Sequence, residues 1–542
     1  MSFKTVVFTV LLWAFGACKA QKAAVFTQEF KKAKQLVDAG AFTEALPLLL
    51  KLTVENPQNT YFKDASYLYA YASLKTDSPT DALQMLKQIE LKYSDYNPDQ
   101  IYYMQALCLF YLKEYDKALI TANKSKHSSV TAMKLNFINN FKDVSKLTDL
   151  YNRNSNDTDV AKVLMYKLSV KDDLTDKESK LLADLSKKLT VSPKTENSNN
   201  KIFNIGVLLP YSDLNDNFSK NSLFFDFHCG LNQGLESMVQ TDGFLYQLHY
   251  FDIGKDTTKY LELINSKEYQ NLDMVIGPVY SNLSSIAAQH SSNKSPLVIN
   301  PFSQNIKQAS NTLYTSPSYQ NIGVRTAEFC KSELGKNVIV CYSSNIKDSV
   351  SAFAFVNKFK SLGGKIIALK NTKSVNFATL VNKETADSVS AVVMYTSNAY
   401  AATSILTALE VANCKAPVIV PKDWLDINTL TLQKYARHNV HFCVINYYSL
   451  QNQDIIQFNN TYYGKYKLYP TEYSYLGYDI AKYFGNAFTK YNKNMYSNIQ
   501  NVTETQIGLL QGFNFYKNNS NQVVQFVKFT NGKLEPLIEY TK

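Results

Sequence analysis

The chain has 542 residues, with 57 lysines and arginines against 46 aspartates and glutamates and a formal net charge of +11. That length supports two or three domains, each large enough for its own core. The basic excess is dispersed, with no basic run interleaved with aromatics, which argues against nucleic-acid binding and leaves only a mild attraction to anionic surfaces. After the N-terminus no segment is long and apolar enough to cross a bilayer.

At the N-terminus, Lys4 precedes an apolar core from Val6 to Phe15, too short to span a membrane and suited to a secretory signal over residues 1–20. The residues after this core fit two processing routes. Phe15-Gly16-Ala17-Cys18 resembles a bacterial lipobox, in which Cys18 is acylated, becomes the mature N-terminus and anchors the protein to a membrane. Cleavage after Ala20 instead leaves Gln21 first and discards Cys18. Both routes predict export to the periplasm.

From about Phe26 to Leu189 the pattern is helical. Ala45-Leu46, Ala82-Leu83 and Ala118-Leu119 recur at intervals of 37 and 36 residues, within GAFTEALPLLLKL, SPTDALQMLKQIE and KEYDKALITANKS. Pro57 and Pro98 each fall where a helix pair closes, and Thr175 with Glu178 forms a capping-box pattern farther on. The recurrence resembles tetratricopeptide repeats, helix hairpins with a small residue where the helices touch. Ala45, Ala82 and Ala118 match that small position, and Gly40 matches the turn glycine of the first unit. Residues 21–190 are thus expected to form an all-α tetratricopeptide-like domain, either a spacer or a surface for another envelope protein.

Residues 191–201 are polar and turn-rich and read as a linker. Beyond them strand-like runs alternate with helical ones, implying parallel sheets covered by helices. In Asp273–Ser303, Met274-Val275-Ile276 is a short β-branched strand ended by Gly277-Pro278. Ser281 and Asn282 then start, and are placed to cap, a helix running to Ala288, and Leu297-Val298-Ile299 forms the next parallel strand. Further strands are expected at Ile202–Leu209, Gln247–Asp252, Asn337–Tyr342, Lys365–Leu369, Ala391–Tyr395, Val418–Pro421 and Val440–Asn446. The two series separate near Leu313–Ser318, which predicts two lobes.

The stretches IFNIGVLLP, LDMVIGPVYSN, PLVINPFS, NTLYTSPSYQN, KNVIVCYSSN, LGGKIIAL and YPTEYSYLGYDIAKYF together resemble the type I periplasmic binding proteins, the branched-chain amino acid receptor family, over Lys201 to about Leu537. The resemblance implies an α/β fold of two lobes, the first about 202–316 plus returning helices and the second about 320–446 plus C-terminal strands, within residues 202–542. It also implies a small polar ligand between them. Ser281 and Asn282 match the helix start that holds a substrate carboxylate, and Phe302 and Ser303 match the next loop. Asn345 to Asp348 matches a second-lobe loop that commonly carries Tyr-Gly, neither of which is present. Asp423-Trp424 matches a loop that supplies an acidic partner for the substrate ammonium. Each has a plainer structural reading as well: a helix cap for Ser281 and Asn282, a surface ion pair for Asp423, and core or hinge packing for Trp424.

Nothing in the chain spells a catalytic motif: HExxH, GxSxG, GxGxxG and GxxxxGK are absent. His438 and His441 stand three apart without a completing ligand and are expected in solvent or loops. Cys341 and Cys443 sit in strand-like runs and are expected to fill core volume. No enzyme activity, metal or cofactor is expected. A helical repeat domain ahead of a binding-protein domain is similar to the LppC family, outer-membrane lipoproteins that activate a penicillin-binding peptidoglycan synthase through protein contacts. That similarity implies a non-catalytic cell-envelope interaction protein. The competing expectation is a solute receptor for a transporter or sensor.

Overall fold

Ten helices open the chain in a computed structural model that describes residues 25–189, 202–210, 222–239 and 245–537, apart from residues 58, 128–129, 170, 172, 293–294, 306–308, 467 and 531–532. The expected signal segment 1–20, with Cys18, and the expected linker 191–201 lie outside the described residues. The chain divides into two compact bodies, the first built mainly from residues up to Lys194 and the second mainly from those after it.

In the first body α1 (residues 25–38), α2 (Phe42–Leu52), α3 (Phe62–Lys75), α4 (Pro79–Lys92), α5 (Pro98–Tyr111) and α6 (Tyr115–Ala122) are followed by α7 (Val130–Asn139), α8 (Val144–Arg153), α9 (Thr158–Ser169) and α10 (Asp176–Leu189). The turns joining α1 to α2, α3 to α4 and α5 to α6 each place one residue in the left-handed region, Gly40, Asp77 and Lys113. These are spaced as Ala45, Ala82 and Ala118 are, and all three alanines are fully buried. The small side chain therefore recurs at a helix contact one turn after each hairpin bend. Pro98 opens α5 rather than closing the preceding pair, because its missing N–H costs nothing in the first turn. The Thr175 and Glu178 capping box is formed: Thr175 N–H donates to Glu178 Oε2 at 2.9 Å and Glu178 N–H to Thr175 Oγ1 at 3.3 Å. Lys134 on α7 is buried between Asp157 and Asp159, at 2.7 and 2.9 Å. Burial pulls its pKa down, but the two carboxylates outweigh that and leave it raised.

The second body holds two sheets. β1 (Ile202–Leu209), α11 (Ser222–Val239), β2 (Leu245–Asp252), α12 (Thr257–Ile264), α13 (Lys267–Gln270), β3 (Met274–Ile276), α14 (Ser281–His290), β4 (Leu297–Asn300) and β5 (Thr312–Tyr314) make the first lobe. Its sheet runs β2-β1-β3-β4-β5, with Ile205 opposite Met274, Met274 opposite Leu297 and Val298 opposite Thr312 in parallel register. The second lobe begins with α15 (Tyr319–Phe329), β6 (Asn337–Tyr342), α16 (Ile346–Ser361), β7 (Lys365–Asn371), α17 (Phe377–Leu380) and β8 (Ala391–Tyr395). It continues through α18 (Ala399–Val411), β9 (Val418–Pro421), α19 (Leu432–Arg437) and β10 (Val440–Val444). The chain then forms α20 (Gln453–Tyr466), α21 (Glu472–Tyr491) and α22 (Met495–Ile499), and ends with β11 (Gln525–Thr530) and β12 (Lys533–Pro536). The second sheet runs β12-β11-β10-β9-β8-β6-β7, parallel except where β11 joins β10 and β12. Alternate strand residues feed opposite faces: Ile339, Val392 and Val418 pack with α18, while Val338, Val393 and Ile419 pack with α15 and α16.

The returning helix α21 belongs to the first lobe, and glycines put it there. A Cβ at Gly230 or Gly234 of α11 would overlap the α21 backbone near Ser474 and Tyr478, and one at Gly477 would overlap the Phe227 carbonyl. The two backbones therefore touch, with Phe203 stacked on Phe488 at 3.7 Å beside them. Farther along α21, the buried Asp479 carboxyl accepts N–H bonds from Leu509 and Leu510 at 2.7 and 2.8 Å. Burial lifts its pKa to about 7 despite those two bonds.

Gly477→Val is expected to lower stability by about 3 kcal/mol through overpacking against the α11 backbone. Gly464→Ala, in α20 with open space around it, should raise stability by roughly 1 kcal/mol through helix propensity. Urea unfolding midpoints measure both. Because Asp479 is more easily protonated folded than unfolded, its contribution is fully present below about pH 4 and is lost as pH rises through about 7. Thermal melts across that window should therefore fall more steeply with pH in the wild type than in Asp479→Asn.

Candidate functional site

Parallel strands end together, so the carboxyl ends of β6, β8, β9 and β10 share one edge of the second lobe, where open α/β sheets bind ligands. Opposite that edge stand the first-lobe loops after β3 and β4 and the first turn of α21. A cavity of about 440 Å³ lies between them. Its first-lobe wall is aromatic: Phe302 packs against Phe224 at 5.7 Å, Phe227 at 5.1 Å and Tyr473 at 6.0 Å. Val393, Tyr395 and Ile419 line the second-lobe side and are almost wholly buried.

Five lysine, aspartate and glutamate side chains line the cavity, and each is engaged, whereas the buried Tyr395 hydroxyl of the same lining has no hydrogen-bond partner among the described residues. Lys347 pairs with Asp423 at 3.1 Å, and Lys422 pairs with Glu472 across the lobes at 2.7 Å. Both pairs are partly exposed. Asp348 is buried and accepts hydrogen bonds from the Ser343 hydroxyl at 2.7 Å and the Asn345 amide at 2.8 Å. Burial raises its pKa against those two bonds.

The structure separates the residues that sequence grouped. Phe302 and Asp423 line the cavity. Ser281 and Asn282 are exposed, outside its lining, and form the first two residues of α14. They do not cap that helix: Tyr280 occupies the N-cap without a side-chain bond, and the Asn282 amide donates to the Lys255 carbonyl at 3.3 Å. Ser303 also lies outside the lining, its N–H donating to the buried Asn300 side chain at 2.8 Å. Asn345 is the N-cap of α16, accepting from Asp348 N–H at 2.7 Å, so the segment read as a binding loop is a helix start. Trp424 is fully buried in the second-lobe core, with its indole N–H donating to the Thr396 carbonyl at 2.6 Å. His441 is buried rather than solvent-facing, and burial pulls its pKa down to about 4. His438, by contrast, is half-buried at the end of α19.

Of the segment Asn345 to Asp348, Lys347 and Asp348 line the cavity, whereas sequence reasoning passed over Lys422, Glu472 and Tyr473. A signal for the last two was present: Thr471 and Ser474 form a reciprocal capping box that starts α21 at the cavity edge. Among the described residues no cluster of His, Cys, Asp and Glu is arranged to hold a metal ion. Cys108, Cys330, Cys341, Cys414 and Cys443 are not in disulfides among the described residues, and Cys341 is fully buried in the core. No described helix is long and apolar enough to cross a membrane.

No protein-family model matches the chain, and no curated protein matches it. Solved structures do resemble it. An ABC transporter substrate-binding protein from Desulfitobacterium hafniense, in complex with Leu, is 18% identical over 62% of this chain and 100% of its own, with a TM-score of 0.44. A putative branched-chain amino acid ABC transporter protein from Rhodospirillum rubrum is 15% identical over 62% and 100%, with a TM-score of 0.49. Full-length LpoA from Haemophilus influenzae is 13% identical over 96% of this chain and 95% of its own, with a TM-score of 0.46. The strand orders and the three passages between lobes carry the fold assignment by themselves. The second body has the type I periplasmic-binding-protein fold.

Trp424→Phe removes the donor to a buried carbonyl as well as core volume, and is expected to cost about 1–3 kcal/mol. Urea unfolding of the variant checks this; an unchanged midpoint would show that the indole is not structural.

Proposed function

We propose that the chain is a non-catalytic, exported cell-envelope protein that works by docking other proteins, and that a peptidoglycan synthase is among its partners. The observation that carries this reading is the row of helix hairpins in the first body, with left-handed turns at Gly40, Asp77 and Lys113 and a buried alanine after each. This row supports a tetratricopeptide-like reading, in which stacked units present an extended binding surface. Leu91 of α4 and Ile120 of α6 are exposed by 85% and 59%, two apolar side chains that a docked partner would cover in this reading. Support for the type of partner comes from the sequence resemblance to the LppC lipoproteins. In this reading Cys18 is lipidated and tethers the protein to a membrane on the periplasmic side, residues 191–201 act as the linker, and residues 202–542 form the second domain.

A second reading is supported by the cavity itself. At about 440 Å³, with converging walls from two lobes, it is of the size that encloses a small ligand. Ligand binding there and protein docking by the helices are compatible, since they use different bodies.

The proposal predicts that the full-length protein stimulates glycan-strand polymerisation by a purified penicillin-binding synthase. Leu91→Asp with Ile120→Asp should weaken that association at least tenfold while leaving the melting temperature near wild type. A synthase unaffected by the wild-type protein would sink the docking role, and mass spectrometry of the mature N-terminus tests Cys18 acylation separately.

A further inference from the structure

We infer that the interlobe cavity takes an uncharged, predominantly apolar small molecule rather than a zwitterion; this rests on the ligand-binding reading and specifies it. Polarity is graded across the site. The partly exposed pairs Lys347–Asp423 and Lys422–Glu472 contribute its charge, whereas Val393, Ile419 and Leu476 are each at most 3% exposed. Phe224, Phe302 and Tyr473 add an aromatic wall opposite.

An amino acid held here would need an anionic partner for its ammonium and, for its carboxylate, either a cation or a helix start with free N–H and hydroxyl donors. Both lysines of the lining already face carboxylates, and Asp423 is committed to Lys347. Asp348, the buried carboxyl, is satisfied by Ser343 and Asn345, and burial favours its neutral form. The helix start at Ser281 and Asn282 stands outside the lining. A zwitterion would therefore either break existing pairs or bury charge without compensation, a large cost in an apolar site. An uncharged ligand avoids that cost and gains from every apolar contact.

The test uses full-length protein and two probes, the neutral dye N-phenyl-1-naphthylamine and L-leucine. Saturable fluorescence enhancement of the dye is expected, weakened at least tenfold in both Ile445→Trp and Val279→Trp. These two partly exposed lining positions lie on opposite lobes, and circular dichroism verifies that each variant is folded. L-leucine at millimolar concentration should leave both the melting temperature and the dye signal unchanged. If L-leucine raises the melting temperature and displaces the dye, the inference is overturned while ligand binding stands. Should neither probe bind saturably, both the inference and the ligand-binding reading fail. Dye binding that is unchanged in both folded variants places the dye elsewhere and also overturns the inference.

Discussion

The second body depends on one backbone-to-backbone contact. Gly230 and Gly234 on α11 meet α21 at Ser474 and Tyr478, and Gly477 on α21 meets Phe227. Any side chain at these positions would hold the helices apart, because the neighbouring atoms are main chain or, at Gly234, also the Ala481 Cβ, and none of them can swing away. The contact draws a helix that comes after ten strands back onto the first lobe. Its first turn then stands at the cavity, which places Glu472, Tyr473 and Leu476 in the lining. Without that approach, the aromatic wall around Phe302 would lose Tyr473 and the Lys422 ammonium would lose its partner.

That geometry also explains why the lining is electrically self-contained. Lys347 and Lys422 each find a carboxylate across a loop or across the lobes, Asp348 is held by the neutral Ser343 and Asn345, and the aromatic and aliphatic side chains occupy what remains. Trp424 contributes from behind: by filling the core and bonding to Thr396, it fixes the short turn that presents Lys422 and Asp423. The residue that resembled a ligand contact in sequence thus acts by holding its neighbours in position.

Much of the sheet architecture was legible because short β-branched runs bounded by breakers admit few alternatives. The strands at Ile202–Leu209, Asn337–Tyr342, Ala391–Tyr395 and Val418–Pro421 occur with the expected limits. Helix starts were less legible. Ser281 and Asn282 are good capping residues, yet Tyr280 takes the cap position, one residue earlier, and turns them toward solvent. The charge pairs were illegible for a different reason: Lys347 and Asp423 are 76 residues apart, and Lys422 and Glu472 are 50 apart. Local spacing carries no information about pairs that only the crossover topology creates. His441 was misread for a similar reason, since strand β10 sits inside the second sheet, between β9 and β11.

The contacts that join the lobes differ in strength, and the difference decides what fixes their separation. The Lys422–Glu472 pair is partly exposed, and such pairs contribute at most about 1 kcal/mol. The crossing segments are tied more firmly. Tyr314 N–H donates to the Asn519 carbonyl at 2.8 Å, Ser318 N–H to the Ser520 hydroxyl at 2.9 Å, and Asn521 N–H to the Tyr314 carbonyl at 2.9 Å. Arg325 adds bonds to the Gln522 side chain at 2.6 Å and its carbonyl at 3.2 Å. These bonds join segments some 200 residues apart, and Ser520 and Asn521 are buried. The crossing therefore sets where the lobes stand, and the ion pair only decorates the gap. A cleft held in this way keeps its walls in place without needing a charged ligand to bridge them, which is the property an apolar occupant requires.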